Sequence, residues 1–242
     1  MSELAAKLTS ATKHYGKKKV LDHINIELPF GKILGLIGPS GSGKTTTIKC
    51  LMGMEKLDEG QAQIFDTNIP NRKILNEIGY MGQSDALYES LTARENLVFF
   101  GNLMGLDGYK LKQAIDKNMK LVNLENELHQ IVNTFSGGMK RRLSLAITLL
   151  SNPNLIILDE PTVGIDPSLR KDIWKQLNLL TEENKSVIVT THVMGEAERC
   201  DYIGLIMEGR LFTMGTPKEL KEKFGVNSIE EVFIKAETEA QS

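Results

Sequence analysis

The run Lys32-Ile33-Leu34-Gly35-Leu36-Ile37-Gly38-Pro39-Ser40-Gly41-Ser42-Gly43-Lys44-Thr45-Thr46 decides how the rest of this chain is read. Its first six residues read as a buried strand that ends at Gly38-Pro39. A helix then begins near Thr45, carries Ile48, Leu51 and Met52 on one face, and stops at Gly53. Between strand and helix sits a complete G-x-x-x-x-G-K-T loop, Gly38 to Thr45. Its glycines let successive backbone N–H groups turn inward onto phosphate oxygens, and the helix start adds a favourable field. Lys44 offers a mobile cation to β- and γ-phosphates, and the Thr45 hydroxyl is placed for Mg²⁺. The candidate phosphate-binding residues are therefore Gly38, Pro39, Ser40, Gly41, Ser42, Gly43, Lys44, Thr45 and Thr46. By itself the loop does not separate a kinase, a GTPase and a motor ATPase.

Further along, the apolar run Leu155-Ile156-Ile157-Leu158 leads into Asp159-Glu160. Acids at a strand end lie on the carboxyl edge of the sheet, where open α/β folds bind ligands. Asp159 suits Mg²⁺ coordination through water, and Glu160 can orient and polarise an attacking water. Upstream of this pair, Ser136-Gly137-Gly138 opens a helix with Leu143, Ala146, Ile147 and Leu150 on one face. A serine cap followed by two glycines makes a second anion-binding helix start, although alone it reads as a loop before a helix. The other face of that helix carries Lys140, Arg141 and Arg142, which read as a solvated face.

Periodicity fills in the remainder. Gly60–Phe65, Ile78–Met81 and Val187–Thr190 read as further strands. From Thr92 to about Val122 the pattern is helical and poor in turns, and Thr92 with Glu95 makes a capping box. Leu97, Phe100 and Met104 form one apolar stripe there; Leu111, Ile115, Met119 and Val122 form a second. Asp166 caps a later helix that starts with Pro167 and buries Leu169, Ile173, Leu177 and Leu180. Strands separated by helices imply a mostly parallel sheet, interrupted by an all-helical insertion near residues 84–152.

Composition bounds the partners. The 242 residues suffice for one large α/β domain, and 41% hydrophobic with 25% charged residues is ordinary for a globular protein. A net charge of -2 gives no electrostatic reason to expect nucleic acid. Cys50 and Cys200 lack metal-ligand spacing and read as buried thiols in a reducing compartment. No stretch reaches the ~18–20 apolar residues of a membrane-spanning helix. Met1-Ser2-Glu3-Leu4 has neither the basic nor the apolar part of a secretory leader. The expectation is a cytosolic protein; if it moves anything across a membrane, another chain supplies the path.

Taken in order, these motifs resemble the nucleotide-binding domain of ABC ATPases over nearly the whole chain. The family's Leu-Ser-Gly-Gly-Gln sequence is matched by Phe135-Ser136-Gly137-Gly138-Met139, which keeps the centre and departs at both flanks. Gln83 resembles the glutamine that links the two lobes and lies near the metal. Gly164-Ile165-Asp166 resembles the loop after the acidic pair, and His192 the switch histidine. Tyr15 resembles the aromatic that stacks on adenine. The resemblance implies an α/β fold: a P-loop NTPase core with a mostly parallel sheet, an antiparallel β region and an inserted all-helical subdomain. Residues 1–83 and 153–225 would form the catalytic core, 84–152 the helical subdomain and 226–242 a short tail.

What this implies for function is an ATPase with ATP and Mg²⁺, catalytic Glu160 and His192, and metal contacts from Thr45, Gln83 and Asp159. Tyr15, Gln83 and Asp166 join the nucleotide contacts, and Ser136, Gly137 and Gly138 complete the site of a second cassette, identical or closely related, in a head-to-tail pair. Integral membrane permease subunits are the other expected partners, holding the chain on the inner face of the cell membrane. The helical insertion, including Leu87–Thr92, resembles the surface on which such subunits dock. Thr162–Pro167 and Ile229–Phe233 look like bacterial exporters of the ABC-2 type. The rivals are an ABC-type factor acting on DNA or ribosomes, a P-loop small-molecule kinase, and a degenerate cassette that binds without turnover. The first lacks its usual long coiled coil or second cassette, and the second leaves Ser136-Gly137-Gly138 and His192 unexplained. Lys44, Asp159, Glu160 and His192 together argue against the third.

Overall fold

A computed structural model describes residues 4–240. Met1–Glu3, on which part of the leader reading rests, and Gln241–Ser242 lie outside it. The chain opens with two long strands, β1 (Leu4–Tyr15) and β2 (Lys18–Pro29), then β3 (Ile33–Ile37), α1 (Lys44–Leu51), β4 (Glu59–Ile64), β5 (Thr67–Asn68) and β6 (Ile78–Met81). The helical stretch follows as α2 (Ala93–Leu103), α3 (Gly108–Leu121) and α4 (Gly137–Thr148). The second half holds β7 (Leu155–Asp159), α5 (Pro167–Glu182), β8 (Ser186–Thr190), α6 (Met194–Ala197), β9 (Tyr202–Met207), β10 (Arg210–Gly215), α7 (Pro217–Phe224) and α8 (Ile229–Ala240).

The strands form two sheets. One is antiparallel, in the order β2-β1-β4-β5; the other runs β10-β9-β3-β8-β7-β6, parallel except for the edge strand β10. Every residue of β3, β7 and β8 is buried. That is why these strands read as unbroken apolar runs: both of their faces are covered. The register pairs Leu36 with Thr190, and Thr190 with Asp159. One row at the carboxyl edge of the sheet therefore carries the root of the phosphate loop, the end of β8 and the acidic pair.

Two apolar cores lie on the two sides of this sheet. One gathers α2, α3, α4 and α5 with alternate residues of β7 and β8; the other packs the antiparallel sheet and α1 against the remaining residues. Thr92 and Glu95 form the expected capping box at α2, with Glu95 N donating to Thr92 Oγ1 at 3.1 Å and Thr92 N to Glu95 Oε2 at 2.8 Å. The helical stretch expected from Thr92 to Val122 is broken into two helices at Gly105, whose φ of 79° ends α2 in the left-handed region. The acidic tail folds as α8 and buries Ile229, Val232 and Ala236.

One expectation about α4 is corrected. Lys140, Arg141 and Arg142 do not form a solvated face. Arg141 is 5% exposed, Arg142 donates to the carbonyls of Val122 and Asn123, and Lys140 pairs with Glu89 at 2.6 Å. The physical reason is that the loops after β6 and β7 run past this side of the helix and present backbone carbonyls to it.

Candidate functional site

The loop from Gly38 to Gly43 leaves β3 and winds into α1, with Gly43 at the cap position. Its backbone needs glycine where it turns. Gly43 has φ 110°, and a Cβ there would lie 3.0 Å from the Val20 carbonyl; at Gly38 a Cβ would lie 2.1 Å from the Ile206 carbonyl. Over the loop lies a cavity of about 350 Å³ lined by Ser40, Gly41, Lys44, Thr45, Thr46 and their neighbours, with Gln83 and Glu160 across it. Ser42 is buried beneath the loop. Lys44 is 7% exposed, and its Nζ donates to the carbonyls of Gly38 at 2.8 Å and Pro39 at 2.9 Å. Burial lowers its pKa, and the nearby carboxylates of Glu160 and Asp159 oppose that shift.

Opposite Lys44, the end of β7 delivers its two acids to different tasks. Asp159 is fully buried; its carboxylate accepts from Thr45 Oγ1 at 3.0 Å and from Thr190 Oγ1. Gln83 Nε2 in turn donates to Thr45 Oγ1 at 3.2 Å. Glu160 turns away from the strand with φ 54°, a left-handed conformation that costs a non-glycine residue roughly 1–2 kcal/mol. Its N–H is held by Thr190, through Oγ1 at 3.0 Å and through the carbonyl at 3.1 Å. Its side chain is only partly buried, and His192 Nδ1 lies 3.3 Å from Oε1. Asp159 is thus pinned for structure or metal, while Glu160 is left facing the cavity.

The donors around Asp159 are suited to a hard divalent cation: one carboxylate, one hydroxyl and one amide, all oxygen-bearing. Among the described residues no three His, Cys, Asp or Glu side chains form a cage. A cation at this position would therefore take most of its ligands from phosphate and water, as Mg²⁺ does.

The remaining predicted residues stand apart from Lys44. Ser136, Gly137, Gly138 and Asp166 line a second cavity of about 590 Å³, which shares Gln83 and Glu160 with the first. Ser136 caps α4 by accepting from Met139 N at 3.2 Å, and a Cβ at Gly138 would lie 3.1 Å from the Gly164 carbonyl. Asp166 caps α5, accepting from Leu169 N at 3.0 Å. Tyr15, at the end of β1, is 46% exposed and lines neither cavity, but Thr46 and Glu55 lie within reach of its hydroxyl. Sequence reading missed Thr190, Arg141 and Glu196. For Thr190 a signal existed, a hydroxyl ending an apolar strand beside the strand of the acids; for the other two, burial alone reveals the part they play.

A glycine loop winding into a helix, faced across a parallel sheet edge by a pinned aspartate and a free glutamate, defines a P-loop nucleotide-binding protein. The family model of the ABC transporter matches residues 21–163, and the chain belongs to that family. Within it, the chain is an ATP-binding, ATP-hydrolysing subunit. It is 40% identical over 233 residues to a Nod factor export ATP-binding protein of Sinorhizobium fredii, covering 95% of this chain and 68% of that protein. It is 39% identical over 212 residues to a probable multidrug ABC transporter ATP-binding protein of Escherichia coli, covering 87% of this chain but only 37% of that one. Among solved structures, an ATP-binding subunit of an ABC transporter matches with a TM-score of 0.89 at 26% identity, over 96% of this chain and 99% of that one. A dimeric ATP-binding cassette in a post-hydrolysis state with ADP and Pi matches with a TM-score of 0.78 at 27% identity, over 87% and 98%. Among the described residues no helix is long and apolar enough to cross a membrane.

Proposed function

We propose that the chain hydrolyses ATP to drive an exporter of the ABC-2 type, paired head to tail with a second cassette and docked on separate membrane subunits. The names of the two relatives, one for Nod factor export and one for multidrug transport, support export. The dimeric post-hydrolysis cassette supports pairing. In this reading residues 1–83 and 153–225 are the catalytic core, 84–152 the helical subdomain and 226–242 the tail.

The observation that carries the mechanism is the division of labour between adjacent acids. Asp159 is tied to Thr45 and Thr190, whereas Glu160 faces the cavity beside His192. Backbone N–H groups between Gly38 and Thr46, of which Pro39 has none, and the Lys44 ammonium hold the β- and γ-phosphates, and Tyr15 stacks on adenine. Thr45, Asp159 and Gln83 would hold Mg²⁺, which when bound neutralises charge building on the phosphate oxygens. Glu160 accepts a proton from a water whose oxygen attacks the γ-phosphorus. The bond to the β–γ bridging oxygen breaks, and ADP and phosphate leave. His192 steadies Glu160 and reaches the γ-phosphate with its other ring nitrogen. Ser136, Gly137, Gly138 and Asp166 close the partner's site, so that two helix starts face one phosphate. ATP then joins the cassettes and hydrolysis releases them.

The Glu160→Gln variant tests this. It should bind ATP as the wild type does, hydrolyse about 10²–10⁴-fold more slowly, and collect as a dimer with MgATP in sedimentation. Turnover at the normal rate would remove Glu160 from the mechanism.

A further inference from the structure

Arg141 lies at the meeting point of three segments that carry site residues, and it touches all of them. Its guanidinium is buried at 5% exposure, a place for a cation only where protein groups replace its water. Nη1 donates to the carbonyls of Gly82 at 2.6 Å and Gln83 at 3.2 Å, and to Asp85 Oδ1 at 3.3 Å. Nη2 donates to the carbonyl of Asp159 and to that of Glu160 at 2.8 Å. Asp85 is itself fixed by Ser144 Oγ, further along α4, at 2.9 Å. A single side chain of α4 thus grips the backbone after β6, which bears Gln83, and the backbone at the end of β7, which bears both acids.

The peptide it grips at Glu160 is the strained one. Thr190 holds the N–H of that residue and Arg141 its carbonyl, so the left-handed φ of 54° is fixed from both ends. Arg141 is also little more than one helical turn from Ser136, within the same helix. A shift of the start of α4 therefore carries the guanidinium with it, and its hydrogen bonds carry Gln83 and Glu160. The planar fork can serve both backbones at once; an ammonium, with three donors on one atom, holds one of them and leaves the other loose.

We propose that Arg141 is a positioning residue that relays engagement of Ser136–Gly138 with a second cassette's nucleotide to the Glu160 and Gln83 of its own chain. This rests on the head-to-tail reading above and adds that docking of α4 and alignment of the catalytic glutamate are one movement. Each chain senses the partner's nucleotide through α4 and answers with its own Glu160.

The test uses the full chain and MgATP, with Arg141→Met and Arg141→Lys. Arg141→Met should lose about 10²-fold in kcat, the scale of a misplaced reacting group, with ATP affinity unchanged; Arg141→Lys should recover part of the rate. In the Glu160→Gln background Arg141→Met should still dimerise on MgATP, because the start of α4 is intact. A kcat close to the wild type overturns the proposal. So does loss of dimerisation together with hydrolysis, the mark of a residue that merely holds α4 in shape. If Arg141→Met fails to fold, Asp85→Asn, which frees one anchor of the guanidinium, takes its place: lowered kcat with dimerisation kept supports the relay, and unchanged kcat in both Asp85→Asn and Arg141→Lys overturns it. A wild-type chain without ATP hydrolysis, or a Glu160→Gln chain without a dimer, would instead strike at the parent reading.

Discussion

His192 Nδ1 stands 3.3 Å from Glu160 Oε1, joining the segment after β8 to the segment after β7. The histidine is 58% exposed on its side chain, so as an ion pair the contact contributes little to stability. Its value lies in direction, because it restricts where the half-free carboxylate can point. His192→Ala should therefore lower kcat by about 10²-fold while ATP binding and melting temperature stay as in the wild type. Phosphate release and equilibrium nucleotide binding, measured side by side, decide it; equal losses in both would assign the histidine to binding.

Thr190 sits under both acids. Its hydroxyl donates to the Asp159 carboxylate, both residues being fully buried, and accepts from N of the partly buried Glu160 at 3.0 Å. Valine keeps the shape and removes the donor. Glu160 N retains the Thr190 carbonyl, so the loss falls on Asp159, whose buried oxygen goes unpaired at about 1–3 kcal/mol. Thr190→Val should melt lower, by about 2–4 °C for each kcal/mol at this length, and need more MgCl₂ for half-maximal hydrolysis. A variant with an unchanged magnesium requirement would show that Thr190 serves the fold alone.

The phosphate loop, the acidic strand end and the helix starts were legible because each is local: spacing of glycines, an apolar run, a cap. Leu155–Leu158 announced its burial by composition, and Asp166-Pro167 announced a helix. What the sequence concealed are contacts made across the chain. Arg141 looks like any surface arginine beside Lys140 and Arg142, since its carbonyl partners at Gly82 and Glu160 belong to other loops. In β1 the pairing with β2 slips between Leu8 and Ala11, between Ala11 and Lys13 and again before His14, so its twelve residues carry no even alternation; β2 alternates cleanly only from Ile24 to Leu28. The tail read only as short because Glu230, Glu231, Glu237 and Glu239 are interspersed with its apolar residues, although Ile229, Val232 and Ala236 keep a helical spacing.

Behind the phosphate loop, Asp22 ties β2 to β10; its N–H donates to the carbonyl of Gly209, whose own N–H donates to the carbonyl of Ser42. It meets Lys19 Nζ at 3.0 Å, His23 Nδ1 at 2.8 Å, and Arg210 through Nε and Nη2 at 2.7 Å each. Lys19, then His23 and Arg210, hold its carboxyl well below the usual carboxylate range. A depressed folded-state pKa contributes stability above the unfolded value of about 3.9, and that stability is lost as pH falls through the folded one. Asp22→Asn should melt below the wild type near neutral pH, and the two curves should converge as pH drops below about 4. A gap independent of pH would mean the aspartate acts through shape instead of charge.

Glu196, on α6, is buried at 2% exposure and joins the segment after Glu160 to the segment that carries His192. Thr162 Oγ1, two residues past Glu160, donates to Oε1 at 2.5 Å; Thr191 Oγ1, next to His192, donates to Oε2 at 2.7 Å; Arg170 Nε stands 3.5 Å away. A carboxylate accepts from both threonines at once, whereas glutamine offers one acceptor oxygen and one donor nitrogen. One threonine must then reverse its hydroxyl to accept instead of donate, and Arg170 loses its counter-charge. Glu196→Gln should cost about 1–3 kcal/mol of stability and also lower kcat, because the loops of Glu160 and His192 lose their shared tether. If the variant melts early yet hydrolyses ATP at the full rate below its transition, the two loops are set independently and the carboxylate is only a packing element.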